Sequence, residues 1–333
     1  MASSLVASME KEWNEQIFSV SSDKSVFTLF EHQTCSMPLL SEAGRFYVKM
    51  KGKAGDKRFE RYTSRVVSEV IGLAGDKLIS AYTRYDALAF RDALLERDLA
   101  NATVKRNFEC IRAIWNFAAR EHGVGSTNPF SNMNYGNGVQ PLKRKPIPVA
   151  ELRSVQRVCI EIDDDIRWLI ALISDTGMRL SEAAGLAVSD LHINAPIPFV
   201  RLVEHRWRRL KNASSQRDIP LIGASFWAAG RVIENASNEF AFSRYCLANQ
   251  CKADSASNAL NKWLKSFVPD GCVVHSFRHS FRDRLRNLGG SPELIDSIGG
   301  WKSHGVGRAY GSGYDLKAKH DLLRQICLND SAF

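Results

Sequence analysis

Nothing in the 333-residue sequence is long and apolar enough to span a membrane; no run of about 18 apolar residues occurs. The first residues, Met1-Ala2-Ser3-Ser4-Leu5-Val6, lack the basic start and apolar core of a signal peptide. A soluble, cytoplasmic protein with no membrane partner is therefore expected. Cysteine is sparse: the seven residues Cys35, Cys110, Cys159, Cys246, Cys251, Cys272 and Cys327 are odd in number and scattered. Cys246 and Cys251 are the nearest pair, and no neighbouring His or Cys completes a zinc pattern, so reduced thiols and no metal are the plain reading. Clustered carboxylates are lacking too. Asp163-Asp164-Asp165 is acidic, but consecutive residues on a helix point different ways, so the run reads as a helix N-terminus and not as a metal-dependent nuclease site. Low-complexity tracts and internal repeats are absent. Acidic residues are outnumbered, 36 against 45 Lys and Arg, giving a net charge of +9 and a pI near 9.2. Such an excess attracts polyanions, of which nucleic acid is the commonest.

The length fits two domains, with an N-terminal segment before them. Residues 1–45 show no clear period and are assigned no role. Residues 46–56 alternate from Phe46 to Lys53 and turn at Gly55-Asp56, which predicts a short strand or hairpin, basic on its exposed side. From 62 to 122 the pattern is helical. Val104, Phe108, Ile111, Trp115 and Ala118 form one apolar stripe, with Thr103 as expected N-cap. Lys105, Arg106 and Arg112 lie off that stripe, either as a solvated basic face or as phosphate contacts. Gly, Ser, Asn and Pro dominate from 123 to 138, and Lys143-Arg144-Lys145 with prolines at 141, 146 and 148 follows, an extended basic linker able to track a DNA backbone or serve as a plain tether. The resulting division is 1–60, a helical domain over 61–140, a linker at 141–148 and a second domain over 149–333.

In that second domain, 149–160 reads as helix, and Ile166, Leu169, Ile170 and Ile173 form a buried stripe ending at Gly177. A strand is expected at 198–204 and its partner near 215–221, with Lys211-Asn212-Ala213-Ser214-Ser215 as the turn between them. The chain is helical again after 254, and 316–328 is amphipathic. The fold class is mainly α with a small β-sheet or hairpin (α+β).

Six residue types stand in one order along this half: Arg179, Lys211, His275, Arg278, Trp301 and Tyr310. Arg179 opens a helix after a glycine turn, where a guanidinium and free backbone N–H groups suit a phosphate. Glu182, one turn on, is placed to hold it, although an i,i+3 surface pair is the default for that spacing. His275 and Arg278 share a helix face, with Phe277 and Phe281 anchoring the buried side and His279 as a supporting residue. Trp301 follows Gly299-Gly300 and offers an indole N–H donor that does not titrate, while a core tryptophan is its commoner role. Each residue alone is weak; the order, spacing and context together are strong.

Asp175-Thr176-Gly177-Met178-Arg179-Leu180-Ser181-Glu182, His275-Ser276-Phe277-Arg278-His279 and Gly299-Gly300-Trp301 with Tyr310 nine positions later resemble the motifs of the tyrosine recombinase (phage integrase) family over about 149–328. The resemblance selects Tyr310 over Tyr314 as nucleophile and likens Lys211 to the family's hairpin lysine. Trp301 replaces the histidine most members carry, and Lys-Asn-Ala-Ser-Ser departs from the usual glycine-rich turn. It implies a helical core-binding domain joined to an integrase-type catalytic domain. It also implies cleavage and rejoining of duplex DNA through a 3′-phosphotyrosyl intermediate with no cofactor, metal or ATP. A homotetramer on double-stranded DNA recombination sites, accessory DNA-bending proteins and a bacterial, phage or mobile-element setting at the nucleoid are the partners and place that follow. A non-catalytic DNA-binding protein on the same scaffold and a type IB topoisomerase-like activity are the competing outcomes.

Overall fold

The computed structural model describes residues 37–52, 56–123, 125, 127–136, 144–211, 215–301 and 313–328. Within them the chain divides into two compact units, Met1–Pro141 and Leu142–Phe333. The first is helical: α1 (Leu40–Lys51), α2 (Lys57–Ala74), α3 (Arg84–Leu95) and α4 (Asn101–Glu121). The α4 stripe is buried as its period dictates, with Val104, Phe108, Ile111 and Ala118 at 0 % exposure. Trp115 joins that stripe and donates its indole N–H to the Ile79 carbonyl at 2.9 Å.

Three expectations for this unit are corrected. Residues 46–51 are helix, not strand, because the alternating window is the second half of a helical pattern that starts earlier. Leu40, Ala43 and Gly44 face the core, and Phe46 and Tyr47 lie 5.4 and 5.6 Å from the Phe117 ring of α4. A boundary at residue 60 falls inside α2, which is capped by Asp56 accepting from the Phe59 amide at 3.0 Å; Leu40 and Ala43 already belong to the unit's core. Ala100, not Thr103, is the N-cap of α4, and the Thr103 amide donates to the Ala100 carbonyl at 2.7 Å. Ala100 offers no side-chain acceptor, so its backbone carbonyl closes the first turn, accepting from the Val104 amide as well at 3.1 Å.

The second unit is organised around α6 (Asp165–Thr176), whose residues from Leu169 to Thr176 are all buried. It packs on α5 (Val149–Ile162) and on two later helices, α8 (Gly223–Glu234) and α10 (Ser276–Asn287). The acidic run does start α6: Asp164 accepts from the Arg167 amide at 3.0 Å, while Asp163 and Asp165 pair with Arg231 and Arg244. After α6 come a short helix α7 (Leu180–Ala184) and an antiparallel sheet of β1 (Leu191–His192), β2 (Phe199–Leu202) and β3 (Arg217–Pro220). Val200 faces Ile219 and Leu202 faces Arg217 in the register. The two-residue strand β1 is too short to leave a pattern in the sequence.

A hairpin of β4 (Cys246–Leu247) and β5 (Gln250–Cys251) sets Cys246 opposite Cys251, both as free thiols. The helices α9 (Ala253–Leu264), α10, α11 (Pro292–Gly299) and α12 (Leu316–Arg324) complete the described part. The last of these packs on its own domain. Leu323 is fully buried, and Lys319 Nζ donates to the Asp218 carbonyl of β3 at 3.3 Å.

Gly177 ends α6 in the left-handed region at φ 60°, and a Cβ there would lie 2.4 Å from the Phe281 ring of α10. Left-handed strain and overpacking act together at this position. Gly177→Ala is expected to lower the unfolding free energy by about 2–4 kcal/mol, read as a shift of the urea midpoint with unchanged m-value.

Candidate active site

The turn at Gly177 delivers Arg179 to the start of α7, where it is the N-cap. Its backbone N–H donates to Glu182 Oε2 at 3.0 Å, and its guanidinium donates to Glu182 Oε1. The same guanidinium reaches Ser215 Oγ at 3.1 Å, just before β3, and the Gly300 carbonyl at 3.1 Å, just after α11. This is no surface ion pair: Glu182 is 2 % exposed. Its second oxygen accepts from Arg217 Nη2 at 3.1 Å. Burial pulls the Glu182 carboxyl upward, but Arg217, the Arg179 amide and the Arg179 guanidinium outweigh it, and its pKa lies below the ordinary glutamate value.

Arg278, on the first turn of α10, is 4 % exposed and donates from Nη1 to the Gly177 carbonyl at 2.6 Å. Its Nη2 is buried without an acceptor among the described residues. Burial, and then the charges of Arg179 and Arg217, push its pKa down to about 9. The cost of keeping that guanidinium charged is what a phosphate oxygen would offset.

Trp301 sits against the same group. Its ring centroid lies 4.2 Å from Arg278 Cζ and 4.6 Å from Arg282 Cζ. Arg282 is itself fixed by Asp296 at 2.8 Å. Gly299 is required for this stacking, because a Cβ there would fall 1.7 Å from the indole.

His275 caps α10 with its ring 5.3 Å from His279, the two nearly perpendicular. By solvent accessibility His275 is exposed. Even so, partial burial and then the charges of Arg144, His279, Arg278 and Arg179 push its pKa down to about 4. The imidazole is therefore neutral at physiological pH and able to accept a proton or a hydrogen bond.

The structure thus pairs Arg179 with Glu182 and Arg278 with Trp301, and Arg179 reaches the carbonyl of Gly300, the residue before Trp301; His275 and His279 stand on the same helix start as Arg278. Lys211 is not brought into that network: it is exposed, with no hydrogen bond or ion pair among the described residues. Tyr310 lies outside the described residues, as does Lys143. Tyr314 is 42 % exposed and shares a hydrogen bond with Ser291 Oγ at 3.2 Å. Arg144 and Lys145 are exposed ahead of α5. In the first unit, Lys105 and Arg106 are exposed on α4 and Arg112 is half-buried. Arg106 stacks 5.1 Å from the Tyr62 ring beside a shallow cavity lined by Arg58, Arg61 and Arg65.

Arg217, Ser215 and Arg208 were not anticipated. Arg208 is 3 % exposed and donates to the Glu182 carbonyl at 2.7 Å, holding α7 from its C-terminal side. Arg217 carries one legible signal: on a strand it shares the inward parity of Ile219, an unusual place for a charge.

Two guanidinium groups converging beside a small antiparallel sheet, one of them with a buried nitrogen left without an acceptor among the described residues, form a site suited to a phosphate. The model of the phage integrase family matches residues 151–315, and the chain belongs to that family, the tyrosine-type site-specific recombinases. Among curated relatives, the tyrosine recombinase XerC of Herpetosiphon aurantiacus is 23% identical over 259 residues, covering 74% of this chain and 81% of that protein. XerC of Listeria welshimeri is 23% identical over 252 residues, covering 68% and 78%. Among solved structures, the Tn1549 transposon integrase in complex with a circular intermediate DNA superposes with a TM-score of 0.63 at 18% identity, over 81% of this chain and 97% of that one. A lambda integrase tetramer bound to a Holliday junction gives 0.59 at 15% identity, over 90% and 87%. These structural likenesses confirm the expected fold class, mainly helical with small antiparallel sheets. No helix among the described residues is long and apolar enough to cross a membrane.

The depressed His275 is testable directly. Its imidazole nitrogens, followed by NMR, are expected to titrate near pH 4 in the free protein and to move upward on adding duplex DNA, whose phosphates oppose the surrounding positive charge. A midpoint near 6.5 in the free protein would contradict this electrostatic account.

Proposed function

We propose that the chain cleaves and rejoins duplex DNA through a phosphotyrosine at Tyr310. The observation that carries this reading is the buried Arg278 Nη2, without an acceptor among the described residues, in a cluster with Arg179 and Trp301. In the proposed step, Arg179 and Arg278 bind the non-bridging oxygens of the scissile phosphate, so that the charge building on them is matched by preorganised donors. The Trp301 indole adds a donor to the same group. Tyr310 loses its proton to neutral His275, and its oxygen bonds to phosphorus as the bond to the 5′-oxygen breaks.

The leaving 5′-oxygen takes a proton from Lys211, giving a 3′-phosphotyrosine and a free 5′-hydroxyl. One phosphodiester replaces another, so the bond energy is kept and no nucleoside triphosphate is needed. A 5′-hydroxyl from a partner duplex then attacks the phosphotyrosine and releases Tyr310. His279 supports His275, and Glu182 holds Arg179.

The first unit would act as the DNA-gripping domain, with Lys105, Arg106 and Arg112 on phosphates, and Arg144 and Lys145 along the linker. Two sites, each bound by two protomers, would make a tetramer on DNA, by likeness to the lambda integrase assembly. The reaction would take place in the cytoplasm at the nucleoid.

The test uses genomic DNA of the encoding organism, sheared and incubated with purified protein. Covalent adducts are then captured under denaturing conditions and sequenced. The unmodified protein and Tyr314→Phe are expected to yield adducts at discrete sites. Tyr310→Phe should bind the same DNA and yield none, and Arg278→Ala should cut at a rate lower by about 10²–10³-fold. Adducts that persist in Tyr310→Phe and vanish in Tyr314→Phe would overturn the choice of nucleophile.

A further inference from the structure

The site holds a third buried guanidinium whose bonds are all made to protein. Arg217 Nε donates to the Ile298 carbonyl at 2.6 Å, Nη1 to the Ser215 carbonyl at 2.7 Å and Nη2 to Glu182 Oε2 at 3.1 Å. Those three acceptors lie on three separate segments. Ile298 lies in the last turn of α11, two residues before Gly300; Ser215 lies in the connection that carries Lys211; Glu182 is the carboxylate that holds Arg179.

Arg179 reaches two of the same segments from the other side, through Ser215 Oγ and the Gly300 carbonyl. Gly300 is shaped to the contact. Its φ is +64°, and a Cβ there would lie 2.7 Å from Arg217 Nη1.

We infer that Arg217 is a positioning residue for the cleavage reaction: a fixed, phosphate-silent guanidinium that sets Arg179, through Glu182, and the Gly300-Trp301 turn in one register. The planar fork suits this role because its donors point in fixed, divergent directions. A lysine ammonium in the same place is a point charge that can satisfy one or two of the acceptors but cannot span all three. The contrast with Arg278 separates the roles: Arg278 keeps a buried nitrogen without an acceptor, while every nitrogen of Arg217 has one.

This inference rests on the recombinase reading, and its test separates the two. On a duplex that the unmodified protein is first shown to cut, single-turnover cleavage is measured for Arg217→Gln, for Arg179→Ala and for the double variant, with DNA affinity measured alongside. Arg217→Gln is expected to slow cleavage roughly 10–100-fold, the usual effect of removing a partner that orients a reacting group, with DNA affinity nearly unchanged. Because one of its two routes runs through Arg179, the same substitution in the Arg179→Ala background is expected to cost clearly less than in the unmodified protein, the remainder being the share carried by the Gly300-Trp301 turn.

An equal loss in both backgrounds, or no loss in the first, overturns the inference while leaving the recombinase reading intact. Failure of the unmodified protein to cut any genomic fragment overturns both. If Arg217→Gln does not fold, Arg217→Lys replaces it in the same cycle. Lysine keeps the charge opposite Glu182 but loses the three-way geometry, and full activity in that variant also overturns the proposal.

Discussion

Everything at this site depends on burying several like charges together and keeping them charged. Arg179, Arg217 and Arg278 converge within one buried region, and each opposes the next. Glu182 is what makes the cluster tolerable: one carboxylate, itself 2 % exposed, pairs with both Arg179 and Arg217. Removing it would leave two guanidinium groups facing each other in a medium poor at screening them, which is far more costly than losing an exposed pair. The carboxylate neutralises part of the positive charge and leaves the remainder on Arg278. In the proposed reaction that remainder is what would bind a phosphodiester.

The backbone is built to let these side chains approach. Gly177 turns sharply enough to pass from α6 to Arg179 while lying against Phe281, and its carbonyl is the acceptor that fixes Arg278. One residue thus orients both arginines, the first through the chain and the second through space. At the other end, Gly299 gives the Trp301 indole room to fold back, and Gly300 gives Arg217 room to lie flat. Helix α10 contributes in a different way. Phe277 and Phe281 are fully buried, so the helix cannot rotate about its axis without losing them, and the orientation of the neighbouring His275 and Arg278 is fixed with them. Fully burying one such ring is worth about 1.5–3 kcal/mol, enough to fix the rotation of a three-turn helix.

Much of the fold was legible because the hydrophobic periods are strong. The α4 stripe, the α6 stripe ending at Gly177 and the pairing of β2 with β3 follow from apolar spacing and turn residues alone. The first helix was misread because the window from 46 to 53 is barely longer than two helical turns, and over that length alternation and a 3.6-residue period look alike. The arginine and histidine motifs were legible as residue types in order. What sequence did not carry is which polar residues are buried. Glu182 at three residues from Arg179 has the spacing of an ordinary surface pair. Only the later return of β3 and the α11 terminus over it, far away in the chain, takes it out of water.

The same limit explains why two arginines of one site could be given opposite roles only in three dimensions. Arg217 and Arg278 are both buried and both close to Glu182, and neither spacing nor composition distinguishes them. The difference lies in the acceptors around each. Arg217 is surrounded by carbonyls at the ends of β3 and α11, where chain termination leaves C=O groups without regular partners, so its donors are consumed by the protein. Arg278 lies on the first turn of a helix, where backbone carbonyls point away toward the C-terminus and an aromatic face, Trp301, covers one side. That geometry supplies one carbonyl and no more, leaving a charged donor in low dielectric. The two arginines are therefore sorted here by what the ends of neighbouring elements offer them, and the helix start is where a guanidinium keeps a donor without a protein acceptor among the described residues.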